Sequence, residues 1–147
     1  MAIVQSAWGA LKRQAPVSHE AGTVKAERFT YTVPTGLTLA AGDIIELAVL
    51  PAFHTVVDAT LIVDEAGTAT YDVGLMSSIP GDTTQSRTCG AELFSGAADA
   101  STSRMSLPGG FRIAPNVAND RSIGVKVVGA SVVGAGQVID LILYTKQ

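Results

Sequence analysis

"DIIELAVLPAFHTVVDATLIVDE", residues 43–65, holds the question on which the fold turns. Two apolar runs, "IIELAVL" and "FHTVVDATLIVD", stand on either side of Pro51. They are rich in Val, Ile and Leu, and bounded by Gly, Pro and Asp, as strands are. Yet the stretch also carries Glu46, His54, Asp58, Asp64 and Glu65. These are either a histidine with carboxylates poised for catalysis, or the wet faces of strands. In a strand, His54, Val56, Asp58, Thr60 and Ile62 share one face. His54 and Asp58 then lie roughly 13 Å apart along the strand. An acid–base hydrogen bond needs about 3 Å, and Glu46 belongs to a different strand. The expectation is polar faces, solvated or between subunits, with the apolar residues forming the opposite faces.

The same period-two pattern extends outward. "KAERFTYTV" puts Phe29, Tyr31 and Val33 on one face. "ATYDVGLMS" groups Tyr71, Val73 and Leu75 against Asp72 and Gly74. "RSIGVKVVG" turns Ile123, Val125 and Val127 inward and Ser122, Gly124 and Lys126 outward. "QVIDLILYTK" sets Ile139, Leu141 and Leu143 against Asp140, Ile142 and Tyr144. Strands of this kind, punctuated by Gly/Pro/Asp turns, predict an all-β antiparallel sandwich or barrel. No βαβ pattern is present, which argues against a nucleotide-binding α/β fold. Residues 77–110 form the longest irregular stretch, rich in Ser, Thr, Gly and Asp. Within it "CGAELFSGA" is expected to make one helical turn anchored by Leu93 and Phe94, and after it "FRIAP" to return as a short strand.

Residues 1–22 are read as an N-terminal arm, part extended and part turn, before a β domain spanning 23–147. Gly9 and Pro16 keep any helix here short. Ile3, Val4, Trp8 and Leu11 are its apolar residues and the candidate contacts to a neighbouring subunit or partner. Trp8, the only tryptophan, either caps the domain's own core or packs on a partner, where Trp is enriched.

A chain of 147 residues fits one domain with a sizeable core. Charged residues are 16%, below the roughly 25% of soluble domains. That scarcity suggests apolar surface meant to be covered. A net charge of −3 argues against binding nucleic acid through its phosphates, and 5% aromatics against a base-stacking platform. Acids dominate residues 43–99 and bases the residues after them, so the chain is dipolar. No secretory signal pattern opens the sequence and no apolar run reaches the roughly 18 residues of a membrane span. Synthesis in the cytoplasm and no membrane partner are expected.

No catalytic, cofactor or metal site emerges. Cys89 is the only cysteine, with no activating base nearby in sequence. His19 and His54 are the only histidines, and neither HxH nor HExxH spacing occurs. Asp64 and Glu65 lack the rest of a calcium loop. "SLPGGF" is a turn without the Lys or following helix of a phosphate cradle. Asp120 and Arg121 are placed to pair across a turn or a subunit boundary.

"TATYDVGLMSSIPGDTTQSRTCGAELFSG" followed by "FRIAPNVANDRSIGVKVVGASVVGAGQVIDLILYTK" resembles the capsid decoration, or cement, proteins of siphophage-like tailed bacteriophages. The elements carrying the likeness are a "DVGLMS" strand, a "GAELF" turn, a "DRSIGVKV" strand and a final "AGQVIDLILYT" strand, together covering roughly residues 27–147. The resemblance implies a jelly-roll sandwich on the outer surface of the virion head. It implies a homotrimer at three-fold and quasi-three-fold positions, with the major capsid protein as partner, and no enzyme. Competing readings are another phage head, fibre or tail β-domain, a carbohydrate-binding sandwich, and an enzyme. The few aromatics make a poor sugar platform, and no active-site constellation favours the last.

Overall fold

The computed structural model of the chain describes residues 1–14, 22–64, 67–129 and 133–147. Its elements in chain order are β1 (Ile3–Gln5), β2 (Val24–Thr32), β3 (Ile44–Leu50), β4 (Thr55–Val63), β5 (Thr70–Leu75), β6 (Phe94–Ala98), β7 (Ser101–Arg104), α1 (Pro108–Phe111), β8 (Arg121–Val127) and β9 (Val138–Lys146). They form a five-stranded sheet in the order β1-β3-β8-β5-β6 and a four-stranded sheet in the order β2-β9-β4-β7. The fold is an all-β sandwich. Every pairing is antiparallel except β1 with β3, which run parallel. The pairs are nested in sequence: β2 with β9, β3 with β8, β4 with β7, β5 with β6.

Alternation along the strands fills the core. Phe29, Leu61, Val63, Ile139, Leu141 and Leu143 come from the four-stranded sheet, and Ile45, Leu47, Tyr71, Val73, Ile123, Val125 and Val127 from the five-stranded one. All are buried, each side chain stabilising the fold by roughly 1.5–3 kcal/mol relative to exposure. One polar cluster lies within. The Tyr71 hydroxyl donates to Asp99 Oδ1 at 2.5 Å, and Gln137 Nε2 donates to both the Tyr71 oxygen and that carboxylate. Burial, then the Asp99 charge, raises the Tyr71 pKa far above the ordinary phenol value.

Four local expectations are corrected. Residues 89–97 form no helical turn; from Phe94 the segment is β6, which pairs with β5 across a bulge at Tyr71/Val73. "FRIAP" is not a strand: Phe111 ends α1 and Ile113 is buried in irregular chain. Pro108 at the start of α1 favours that turn, with its φ preset and no N–H to satisfy. The irregular stretch at 77–110 contains β6, β7 and most of α1. A bulge between Val56 and Asp58 changes the side-chain parity of β4, so Val56 faces the core while Asp58, Thr60 and Ile62 face outward.

Candidate interaction surface

The two outer faces of the sandwich differ in kind. On the four-stranded sheet the outer face is open. Arg28 pairs with Asp140 and Arg104 with Asp58 across it, with Thr60, Ile62, Ile142 and Tyr144 between. The Arg104 guanidinium holds the Asp58 carboxyl below its ordinary range.

On the five-stranded sheet the outer face is covered by the chain itself. Gly74 and Gly124 face each other across β5 and β8. A Cβ on Gly74 would lie 2.6 Å from the Gly90 carbonyl carbon, and one on Gly124 would lie 2.8 Å from Met76. Two glycines at outward positions thus let residues 76–92 lie flush on the sheet. Leu75 N–H donates to Glu92 Oε2 at 2.9 Å, fastening the far end of that segment. Cys89 is partly buried there, and desolvation pushes its thiol up to about 12.

Glu46 is the centre of this cover. It is fully buried, and its Oε1 lies 2.9 Å from Arg87 Nη2, itself buried. Ser122 Oγ and Gln5 Nε2 also donate to its carboxylate, and the Gly81 N–H reaches it at 3.3 Å. Arg87 spends its other donors on Ser77 O at 2.9 Å, Asp82 O at 2.7 Å and Ser122 Oγ at 3.0 Å. The expectation that Glu46 sits on a wet face is therefore corrected, as it is for His54, which is buried with Nδ1 2.9 Å from Ala52 O. His54 precedes β4, and the register shift at Val56/Asp58 puts it on a different face from Asp58. Among the described residues, no cluster of His, Cys, Asp and Glu is able to hold a metal. His19, Glu20 and Glu65 lie outside the described residues.

Residues 1–14 are bound to the same centre. After β1, Ser6 N–H donates to Glu46 O at 2.9 Å and Ser6 Oγ to Leu47 O at 2.5 Å. The turn that follows presses Gly9 against β3, where a Cβ would be 2.2 Å from Glu46 O. Trp8 meets Phe29 edge-on, ring centroids 5.1 Å apart, with the Arg13 guanidinium 5.3 Å from the Trp8 ring. Of the four candidate contact residues on the arm, Ile3 and Val4 are partly buried in β1, Trp8 packs on its own core, and Leu11 is exposed.

Leu11 belongs to a larger surface. The register places the ends of β3 and β5, the starts of β4 and β8, and the segment after β1 at one end of the sandwich. There Leu11, Ala52, Ile79, Pro80, Ala118, Asn119 and Asp120 line a depression of about 360 Å³. Phe53 and Val117 adjoin its lining residues Ala52 and Ala118, and the Phe53 N–H donates to Asn116 O at 2.8 Å. Leu11, Phe53, Ile79 and Val117 are 60%, 53%, 59% and 68% exposed. Among the described residues, three of the four non-glycine residues with positive φ sit here: Leu11 at 56°, Phe53 at 65° and Ser78 at 66°. Such conformations cost roughly 1–2 kcal/mol each. Asp120 and Arg121 do not pair with one another: Asp120 Oδ1 accepts from Ala52 N at 2.8 Å, and Arg121 Nη2 donates to Ala114 O at 2.7 Å. No sequence pattern marks this surface, because its residues come from four separate loops.

Comparison with known proteins completes the picture. No protein-family model matches the chain, and no curated protein matches it. Among solved structures, a chain of the capsid of Ralstonia phage GP4 is 39% identical over 99% of this chain and 98% of its own, with a TM-score of 0.90. A chain of the cyanophage Pam1 capsid asymmetric unit has a TM-score of 0.51 at 18% identity, over 92% of this chain and 94% of its own, a likeness of fold alone. The chain therefore belongs to the family of phage capsid proteins that the GP4 capsid chain represents, a family of structural virion proteins.

Proposed function

We propose that this protein is a capsid decoration protein. It binds the outer surface of a phage head as trimers at three-fold and quasi-three-fold positions, clamps neighbouring major capsid subunits, and has no enzymatic role. The carrying observation is the 39% identity, over nearly the whole of both chains, to a chain of a phage capsid. The sequence resemblance to decoration proteins supports the finer assignment. The nested pairing of β2 with β9, β3 with β8, β4 with β7 and β5 with β6 supports reading the sandwich as a jelly roll.

A clamp of this kind stabilises a shell by mass action, because it binds the assembled lattice and not free subunits. A trimer spreads modest contacts over several subunits and gains avidity. In this reading Ile3, Val4 and Trp8 anchor the arm to its own sandwich, and Leu11 is the arm's direct contact with the shell or a neighbouring copy.

The test is addition of purified protein to phage heads produced without it. Saturable binding, a stoichiometry in multiples of three per site by cryo-electron microscopy, and greater resistance of the filled heads to heat are expected. Absence of binding to such heads overturns the reading.

A further inference from the structure

The sandwich end that exposes Leu11, Phe53, Ile79 and Val117 is apolar at its centre and basic around it. Lys12, Arg13, Lys25, Arg121 and Lys146 lie at this end, against Asp82 and Asp120. The opposite end carries Asp43, Asp64, Asp72 and Asp99 against Lys126. The two ends also differ in apolar exposure. Large apolar side chains exposed at the far end are Met1 and Val128 among the described residues. The geometry points to the basic end as the surface that docks this chain onto the shell. Its occupant is a capsid-protein surface with an apolar projection ringed by carboxylates. This inference rests on the proposed function and names the partner's chemistry.

Three observations carry it. Exposed Leu11 and Ile79 line one depression of about 360 Å³, and exposed Phe53 and Val117 adjoin its lining residues Ala52 and Ala118. Leu11 and Phe53 are held outward by backbone conformations that L-residues rarely adopt. Strain retained at an exposed apolar residue marks a place where a partner, not the fold, uses the side chain. Charge complementarity then selects the occupant. A second copy of this chain offers carboxylates at its acidic end, but among the described residues only Met1 and Val128 as large exposed apolar complement.

The experiment measures binding of variants to heads produced without this chain. Phe53→Asn suits its positive φ better than Phe does, so Phe53→Asn/Ile79→Ser keeps its melting temperature while head affinity falls about 30-fold or more. Lys12→Glu/Lys146→Glu weakens binding about tenfold at low salt, and the deficit shrinks as salt screens it. Val128→Ser, at the other end, binds as wild type. The inference is overturned if the Phe53/Ile79 variant binds heads as wild type does, or if Val128→Ser is equally impaired. It is also overturned if the Phe53/Ile79 variant loses self-association and keeps head binding, since the occupant is then a second copy. Failure of the wild type itself to bind removes the proposed function and this inference with it.

Discussion

Arg87→Met isolates the buried ion pair. The substitution keeps much of the aliphatic stem and removes the guanidinium that lies 2.9 Å from Glu46 Oε1. Ser77 and Asp82 lie in a partly exposed loop, so their carbonyls regain water. Glu46 does not, because none of it is exposed. Its charge is then left with neutral donors only: Gln5, Ser122 and the Gly81 N–H. Removing one partner of a buried pair costs about 3–5 kcal/mol. For a domain of this size that lowers the melting temperature by roughly 6–20 °C. Adding Glu46→Gln to Arg87→Met removes the stranded charge while the amide oxygen still accepts. The double variant is therefore expected to be more stable than Arg87→Met alone, by about 1–3 kcal/mol. Urea unfolding of wild type, both single variants and the double variant closes the cycle. If Arg87→Met stays within about 1 kcal/mol of wild type, or if Glu46→Gln destabilises the two backgrounds equally, the reasoning about this pair is wrong.

Other predictions follow from neighbouring geometry. Gly9→Ala puts a methyl 2.2 Å from Glu46 O; the backbone oxygen cannot swing away, so the turn lifts and Trp8 separates from Phe29. A red-shifted Trp emission and a loss of about 1–3 kcal/mol are expected, and an unchanged emission spectrum counts against the contact. The Cys89 thiol, pushed up to about 12 by burial, should react with a thiol reagent at pH 8 far more slowly than a free thiol, because little of it is thiolate. Reaction as rapid as that of a free thiol under native conditions contradicts the shift. Hydrogen bonds from Ser78 and Thr84 hold the Asp82 carboxyl at about 2, below the roughly 3.9 of an unfolded chain. Its folded-state pKa is depressed, so its stabilising contribution is present above about pH 4 and is lost as the pH falls through about 2. Carboxyl NMR shifts of Asp82 check this directly, and a midpoint near 4 removes the effect.

The alternating segments were legible in the sequence because a half-buried strand requires them. Phe29, Tyr71, Val73, Ile123, Val125, Val127, Ile139, Leu141 and Leu143 all sit on the faces their period of two assigned. Where alternation misled, a bulge intervened: the shift at Val56/Asp58 separates residues that simple parity puts together. β6 was misread because "FSGAA" has small residues and glycine, and its strand state comes from pairing with β5. The cover on the five-stranded sheet did leave a trace, in the outward-facing Gly74 and Gly124, which only make sense if backbone lies close above them.

By itself, then, the sequence determined the all-β class and most of the core, since these depend on spacing along one strand. Which polar residues are dry was decided by tertiary structure. Glu46 faces outward from β3, as alternation requires, but β1, the turn at Gly9 and the segment around Arg87 close over it from 35 or more residues away. The apolar end was likewise assembled in space, from residues 11, 53, 79 and 117. Local periodicity reports which side of a strand a residue occupies; what lies on that side is set by contacts between distant segments of chain.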